Sequence, residues 1–298
     1  MAQVLYHPVY GYYQQAATPL GRDFRTAPMI SEGLGFSLAH SIASVFSSPY
    51  NLYEIGPGGG HLMTHILHTL KSMNHLPETV FLFDESAARA SDSKRRLDHL
   101  YDKIHVLKKP PTQWQGAVVA NEYLDAIPFK RYLFDGDKHH EYFVSVDQSH
   151  LSWVMKEVSA PLEYPLRSGA SYEHNTYTPL RGWLNSGQGM MWLIDYGYDQ
   201  KTLFHPERIH GTLTCFQNGQ QFDDPLCFPG ERDITAHVNF SSVARLCVSH
   251  DFLLHGYNSQ GQFMQEVLSA TPHYPHDPQS LKILMQPNEM GEHIKVMV

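Results

Sequence analysis

Short blocks of apolar residues alternate with longer amphipathic segments through the middle of the chain. Residues 51–55 form the first apolar block, and residues 61–73 repeat their apolar positions with the period of a helix. The predicted strands are residues 51–55, 79–85, 103–108, 116–124 and 189–197, and the predicted helices are residues 61–73 and 86–101. Strands that alternate with helices are typical of a parallel sheet covered by helices on both faces. The pattern therefore predicts an α/β fold.

Other regions lie outside this alternation. Residues 1–50 are rich in turn residues and contain one helix-like run, SEGLGFSLAHSIASVF, so we interpret them as a segment that packs over the main domain, residues 51–298. Residues 130–188 interrupt this domain with two β-like runs around the turn DGDK, which predicts a hairpin inside a substrate-binding insertion. Residues 211–240 are predicted to be rich in loops, and residues 293–298 to form the last strand.

Composition and charge exclude several classes of function. The formal net charge of −8 comes from 30 acidic residues against 22 Lys and Arg. No segment concentrates Lys and Arg as binding to a phosphate backbone requires, so we expect no nucleic acid partner. No apolar run approaches the roughly 20 residues that span a bilayer, so we expect no membrane insertion. Neither the 3 cysteines nor the 20 histidines have the spacing of a metal site, and no metal is expected.

The N-terminus bears on location. Its first residues, MAQVLYHPVYGYYQQAA, have neither the apolar core of a secretory signal nor the arginines of a mitochondrial presequence. We therefore expect a cytoplasmic protein, as in a bacterium. The mitochondrial matrix is the alternative if the chain is a trimmed eukaryotic protein.

The end of the first predicted strand carries a glycine-rich turn. The pattern is Glu54-Ile-Gly56-Pro57-Gly58-Gly-Gly60, and the next predicted helix begins directly after it. Glycine lets the backbone approach a ligand closely, and a helix N-terminus offers unpaired amides. A dinucleotide fingerprint would have its third glycine at position 61, where this chain has a histidine. The spacing favours a nucleotide-like cofactor other than NAD, and a tight strand-to-helix turn in any α/β protein is the alternative.

Asp84 lies at the carboxyl end of the second predicted strand. A carboxylate in this position can accept hydrogen bonds from both ribose hydroxyls of an adenosine. Residue 84 lies 30 positions after residue 54, compared with roughly 20 between glycine loop and acid in a dinucleotide fold. A helix N-cap is the alternative role for Asp84.

A wider set of segments carries a specific resemblance. They are PLGRDFRTAPMIS (19–31), YEIGPGGGHLM (53–63), VVANEYLDAIPFK (118–130), WLIDYGY (192–198), DDPLCFPGERDITAHVNF (223–240) and MGEHIKV (290–296). In this combination and order the chain resembles the MidA family of S-adenosylmethionine (SAM)-dependent methyltransferases. Because the segments touch both ends of the chain, the resemblance is far more specific than the glycine motif alone.

The resemblance has implications for fold and function. It implies a class I SAM-methyltransferase, Rossmann-like fold, with a mostly parallel sheet, helices on both faces and an inserted substrate-binding region. It implies SAM as the cofactor and a protein substrate, since mitochondrial members of the family are complex I assembly factors that methylate an arginine of a respiratory complex I subunit. A homodimer is one assembly state that we consider. The N-terminal segment, residues 1–50, is then expected to pack over the cofactor site.

The expected cofactor-binding residues follow from these motifs. They are Glu54, Gly56, Pro57, Gly58, Gly60, Asp84 and Asn121. An acceptor guanidinium needs carboxylates that orient its donors and offset its charge. Because open α/β sheets bind ligands at the carboxyl ends of their strands, we assign Glu122 and Asp125 to this role. A cap of the turn before Pro128 is the alternative for Asn121 and Asp125.

Further residues complete the predicted site. Asp195, after the fifth strand, is a second catalytic candidate, and a salt bridge or turn is its alternative role. His237 is a candidate proton acceptor or hydrogen-bond donor. A core histidine is the alternative, which its apolar neighbours favour. Asp23 and Phe24, within GRDF, are candidates for a lid over the cofactor.

The chain also departs from the family pattern. Gly59 replaces a basic residue and His61 a threonine. After APMIS the chain reads EGLGFSLAH, without the acid of the Phe-Gly-Glu-like stretch that family members have there. These changes bear on substrate choice and partner binding. A methyltransferase for a different acceptor, and an assembly factor that binds SAM without turnover, therefore remain alternatives.

Overall fold

A computed structural model describes residues 1–15, 25–148, 150–161, 164–185, 187–271 and 278–298. The helices are α1 (Ala2–Tyr6), α2 (Ala27–Ile30), α3 (Gly33–Val45), α4 (His61–Ser72), α5 (Ala87–Leu97), α6 (Thr178–Leu184), α7 (Gln200–Leu203), α8 (Phe240–Val248), α9 (Gln260–Ala270), α10 (Pro278–Met285) and α11 (Met290–His293), and a short 3-10 turn covers Tyr12–Gln14. The strands are β1 (Asn51–Ile55), β2 (Thr79–Phe83), β3 (Ile104–Leu107), β4 (Trp114–Asn121), β5 (Lys130–Phe134), β6 (His139–Asp147), β7 (His150–Val158), β8 (Ala170–His174), β9 (Gly187–Tyr198), β10 (Thr214–Gln217), β11 (Gln220–Phe222), β12 (Asp233–Thr235), β13 (Val238–Asn239), β14 (Tyr257–Ser259) and β15 (Ile294–Met297).

The central sheet is mostly parallel, and the predicted α/β fold is confirmed. Among the described residues its strands follow the order β14-β15-β9-β4-β1-β2-β3, and β13 pairs with β9 off this path. The strands from β3 to β9 are parallel, whereas β15 is antiparallel to both of its neighbours, β9 and the edge strand β14. Ile55 pairs with both Phe83 and Ala120, so β1, β2 and β4 end at the same edge. The residues that follow these strands therefore lie close together at that edge.

Both faces of the sheet are covered because successive side chains of each strand point to opposite faces. Leu52 of β1 packs with α3 and α4 on one face, where α4 contributes an apolar stripe that includes Met63 and Ile66. Tyr53, the next residue, packs on the other face with Trp183 of α6 and the side chains of α8. Buried positions three and four apart explain why the segment after the glycine turn forms a helix.

The insertion forms a separate antiparallel sheet. Its order is β7-β6-β5-β8, and Phe134 pairs with His139 across the DGDK turn. The two β-like runs therefore form the predicted hairpin. The segment after β8 leads through α6 into β9 of the central sheet.

The prediction that residues 211–240 are mainly loop is wrong in part. This region contains a three-stranded sheet of order β11-β10-β12. Asn218 (φ 53°) and Gly219 (φ 73°) form the turn between β10 and β11, where two left-handed residues match the twist of a hairpin. Strands of three or four residues are too short for their alternation to stand out in the sequence.

The described part of the chain holds no helix that is both long and apolar enough to cross a bilayer. The predicted lid residues Asp23 and Phe24 lie outside the described residues.

Candidate functional site

The glycine turn after β1 has a backbone that only glycine adopts easily. Gly56, Gly58 and Gly60 have φ values of 69°, 53° and 75°, in the left-handed region that costs other residues roughly 1–2 kcal/mol. The Gly56 amide donates to the Phe83 carbonyl at 2.8 Å and the Gly60 amide to the Pro57 carbonyl at 2.7 Å. A Cβ added at Gly56 would lie 3.3 Å from the Tyr123 ring. The turn thus passes tightly between β2 and the loop after β4.

The turn leads directly into the N-terminus of α4. Gly60 is the N-cap, and no side chain among the described residues caps the helix. His61 and Leu62 of the first turn line a cleft, so their end of the helix can present amides and its positive dipole to an anionic group. Gly60 itself does not line the cleft. A Cβ there would lie 3.4 Å from the backbone of Ser93, so this glycine serves the packing of the turn against α5.

The cleft has a volume of about 830 Å³, including the part open to solvent. Its walls come from the glycine turn, the ends of β2 and β4, and the N-terminal segment. All of the predicted cofactor-binding residues except Gly60 line this cleft. They are Glu54, Gly56, Pro57, Gly58, Asp84 and Asn121. Tyr6 and Tyr13 of the N-terminal segment line the cleft as well, beside Arg89 of α5.

Glu54 and Asp84 lie at the base of the cleft. Glu54 is 2% exposed, and its Oε2 has no hydrogen-bond partner among the described residues. Burial raises the pKa of its carboxyl to about 8, and the nearby Asp84 adds to this shift. Burial also raises the pKa of Asp84 to about 6, although Asp84 Oδ1 accepts a 2.8 Å hydrogen bond from the Ser86 amide. Buried carboxyls with elevated pKa values in a cleft are typical of functional sites.

The loop after β4 brings polar groups into the same cleft. Asn121 Oδ1 is buried without a partner in the described structure, and its Nδ2 lies 3.4 Å from Glu122 Oε1. Glu122 has a φ of 48°, and its amide donates to the Ile194 carbonyl at 2.8 Å. A left-handed conformation in a residue other than glycine is costly and concentrates at functional positions. Burial, together with the charge of Asp125, raises the pKa of the Glu122 carboxyl to about 8.

Asp125 belongs to this loop and Asp195 lies behind it, and neither residue lines the cleft. Asp195 is fully buried, and its Oδ2 accepts from the amides of Leu124 (2.8 Å) and Asp125 (3.2 Å). Its Oδ1 accepts from the amide of the next residue, Tyr196, at 2.9 Å. The carboxyl of Asp125 accepts a short hydrogen bond from the Tyr196 hydroxyl. Asp195 therefore supports the backbone that carries Glu122.

His237 lies on the far side of Asp125. It packs against Tyr196 and Tyr198, each with a ring-centroid distance of 5.5 Å. It lines a small cavity together with Asp125, separate from the cleft of the glycine turn. Burial lowers the pKa of His237 to about 4, so the imidazole is neutral at pH 7. Its role in catalysis stays a prediction.

The structure adds residues that the sequence patterns did not identify. Asp233 of β12 is fully buried and accepts a 2.7 Å hydrogen bond from the Tyr13 hydroxyl. Asp233 and Glu122 both line a second cleft of about 660 Å³, which adjoins the first through Glu122. Asp233 lies inside the segment PGERDITAHVNF, which carried the family resemblance, but its chemical role had no local signal. No group of three or more potential metal ligands occurs among the described residues.

The groups that line the first cleft fit the chemistry of SAM. The glycine turn gives a cofactor close access to backbone, and the uncapped end of α4 suits its carboxylate. The unpartnered atoms Glu54 Oε2 and Asn121 Oδ1 can accept hydrogen bonds from its amino or hydroxyl groups. Asp84 lies where ribose hydroxyls are bound in α/β folds.

Comparison with known proteins identifies the family. The model of a family described as S-adenosyl-L-methionine-dependent methyltransferase matches residues 37–258. The chain belongs to this family, the MidA-like methyltransferases. The resemblance seen in the sequence is confirmed.

Individual relatives agree with this assignment. The chain is 27% identical to mouse (Mus musculus) protein arginine methyltransferase NDUFAF7, mitochondrial, over 98% of this chain and 78% of the relative. It is 24% identical to the Caenorhabditis elegans homologue of that protein, over 87% of this chain and 70% of the relative. A Burkholderia thailandensis protein crystallised with S-adenosyl-homocysteine (SAH) is 27% identical, with a TM-score of 0.88 over 99% of this chain and 85% of that protein.

This MidA-like protein is therefore a SAM-dependent methyltransferase with the predicted class I fold. Its cofactor is SAM. The individual cofactor-binding and catalytic residues remain predictions, which the placement of Glu54, Asn121 and Glu122 makes specific enough to test.

Proposed function

We propose that this MidA-like methyltransferase methylates an arginine side chain of another protein. The observation that carries the proposal is that Glu122 lines both the cofactor cleft and the second cleft. A side chain that enters the second cleft would meet the cofactor at a carboxyl group. The curated relatives named above are called protein arginine methyltransferases, which supports the same acceptor.

The chemistry needs alignment more than activation. SAM supplies a methyl group on a positively charged sulfur, so transfer forms a nitrogen–carbon bond, breaks the carbon–sulfur bond and leaves the electron pair on sulfur. A guanidinium acceptor remains a cation after methylation and releases one proton. Glu122 is the proposed group that orients the guanidinium, offsets its charge and receives this proton. Tyr13 and Tyr123, which line the first cleft, would exclude water from the reacting groups.

Asn121 and Asp195 have supporting roles in this proposal. Asn121, beside Glu122, would hold the cofactor through its unpartnered Oδ1. Asp195 would act as a positioning residue because it binds the amides of the loop and does not line either of these two clefts. Asp125 would fix the Tyr196 hydroxyl, whose residue walls the second cleft.

The wider setting is also a proposal. By resemblance to the family, the protein substrate is a subunit of respiratory complex I. A homodimer is the proposed assembly, to be checked by sedimentation of the purified protein. The location would be the bacterial cytoplasm or, for a trimmed eukaryotic protein, the mitochondrial matrix, since the relatives above carry the word mitochondrial in their names.

The test is incorporation of radioactive methyl from SAM into proteins of an extract from the source organism. Acid hydrolysis and chromatography of the labelled protein should yield methylarginine, and Glu122→Gln should reduce the label by at least about tenfold while SAH still binds. Label on lysine or another residue would replace arginine as the acceptor. Binding of SAH with no labelled protein and no SAH produced from SAM would contradict turnover and favour an assembly factor.

A further inference from the structure

The second cleft has a polar end and apolar walls. Glu122 and Asp233 line it together, and the aromatic side chains Tyr196 and Phe216 form part of its wall. Met290 and Ile294 add further apolar surface. A cleft of this kind suits a side chain with an aliphatic stem and a charged, planar head. The stem would pack on the apolar wall while the head meets the carboxyl groups.

Asp233 has an incomplete set of hydrogen bonds. Its Oδ1 accepts from the Tyr13 hydroxyl at 2.7 Å, whereas Oδ2 is buried and has no partner among the described residues. The residue is 0% exposed. A buried polar atom without a partner costs roughly 1–3 kcal/mol, and native proteins keep few of them. An acceptor group that donates a hydrogen bond to Oδ2 would complete the set.

The contacts of Asp233 fix its orientation. Tyr13 holds one carboxyl oxygen, and the guanidinium of Arg89 lies 4.8 Å from the centre of the Tyr13 ring on the cofactor side. β10 pairs with β12, which places Phe216 directly opposite Asp233. Tyr13 of the N-terminal segment therefore holds the carboxyl, and the small sheet holds the backbone of Asp233.

We propose that Asp233 is an acceptor-binding residue that shares the guanidinium with Glu122 and thereby selects arginine over lysine. This inference rests on the proposed arginine methyltransferase function. A guanidinium carries five N–H donors in a planar fork, so two carboxyls can each bind one edge of it. A lysine ammonium is a compact, strongly hydrated charge that cannot match two fixed acceptors in one plane.

Other ionisable residues also line the second cleft. Glu289 lines it in addition to Glu122 and Asp233, and the side chains of Arg25 and His293 line it as well. Arg25 is exposed. Arginine and lysine carry the same positive charge, so the charged groups of the cleft act on both alike. The geometry of the carboxyl acceptors, rather than net charge, must therefore provide the preference for arginine.

The experiment compares two small probes on the SAH-loaded full-length protein. Calorimetry or ligand-observed NMR would measure binding of N-acetyl-L-arginine methylamide and N-acetyl-L-lysine methylamide. We expect the native protein to bind the arginine probe at least about tenfold more tightly than the lysine probe. Asp233→Asn should abolish this preference, whereas Asp223→Asn, which removes an exposed charge nearby in the sequence, should retain it.

Several results would overturn the assignment. One is equal affinity of the native protein for both probes. Another is that Asp233→Asn weakens the binding of both probes by the same factor. If Asp233→Asn does not fold, a crystal structure of the native protein with SAH and the arginine probe decides the matter. A guanidinium nitrogen within about 3.2 Å of Asp233 Oδ2 is expected, and a probe bound elsewhere contradicts the inference.

The same experiments separate this inference from the proposed function. If the protein produces methylarginine but Asp233→Asn leaves the KM for the labelled acceptor protein unchanged, the role of Asp233 is wrong and the function stands. If the native protein produces no methylarginine and binds neither probe, both are wrong.

Discussion

The Ser93 hydroxyl donates a 2.6 Å hydrogen bond to the carbonyl of Gly58, although the two residues belong to different strand–helix units. Ser93 is fully buried in α5, and its hydroxyl oxygen also lies 3.0 Å from the Arg89 carbonyl oxygen one turn earlier. The glycine turn is therefore held from outside by the helix that follows β2. This contact explains how a turn with three left-handed glycines can keep one conformation around a cofactor.

Ser93→Ala should weaken SAH binding by roughly fivefold, because a neutral hydrogen bond contributes about 1 kcal/mol. Ser91→Ala is the matched control, since Ser91 lies on the same helix and its hydroxyl donates to the Ala87 carbonyl within that helix. Calorimetric titration with SAH measures the effect. Equal affinity of the two variants would mean that the turn keeps its shape without this contact.

Gly58→Val should weaken SAH binding by at least tenfold, because Gly58 has a φ of 53° and lines the cleft. Gly219→Val is the matched control. It places valine at a φ of 73° in a hairpin turn, where a Cβ has open space around it. Both variants should lose stability, and only Gly58→Val should lose affinity. The same titration, beside thermal unfolding, separates strain from blocked access.

The affinity for SAM relative to SAH should rise between pH 6 and pH 8. Burial raises the pKa values of Glu54 and Glu122 to about 8, so both carboxyls are largely protonated at pH 6. The sulfonium charge of SAM favours their ionised forms, so SAM binding releases protons, and the ratio can change by up to about tenfold per pH unit for each proton released. Titrations with both ligands measure the ratio, and Glu54→Gln should flatten its pH dependence. A native protein with a constant ratio would show that these carboxyls do not sense the cofactor charge.

The cofactor-free protein should lose stability as pH rises from about 5 to 8. Glu54 has a folded-state pKa of about 8, above the roughly 4.3 of an unfolded glutamate. The stability that Glu54 contributes is therefore fully present below its unfolded-state pKa. It is lost as pH rises through its folded-state pKa, by up to about 1.4 kcal/mol per pH unit. Urea unfolding at several pH values should show a smaller loss for Glu54→Gln than for the native protein. An equal loss in both proteins would rule out Glu54 as its source.

Asp195→Ala should destabilise the fold by about 2–5 kcal/mol, because it leaves the buried amides of Leu124 and Asp125 without their acceptor. Methyl transfer should fall more than SAH binding, since the loop carries Glu122. Asp199→Ala is a control, since Asp199 caps α7 at the surface and accepts from Lys201 and Thr202. Unfolding curves and single-turnover rates measure the two effects. A variant with native stability and a native rate would show that Asp195 is dispensable for the loop.

Much of the fold could be predicted from local patterns. β1, α4, β2 and β4 were evident because their apolar periodicity is set by burial on one or both faces of a layer. The small sheet of β10, β11 and β12 was not, since each strand is short and derives its stability from pairing with segments that are distant in sequence. The order of the central sheet likewise depends on pairing of strands that are far apart in the chain.

The sequence by itself determined the strand–glycine–helix unit, the acidic residue after β2 and the family, because these are carried by residue type and spacing within single segments. Only the tertiary structure decided which carboxyls meet. It placed Asp195 behind the loop and Asp233 beside Glu122, and it joined Tyr13 to Asp233 across the length of the chain. The reason is physical. Burial, hydrogen bonding and pKa depend on neighbours from distant segments, and no local pattern records which segments those are.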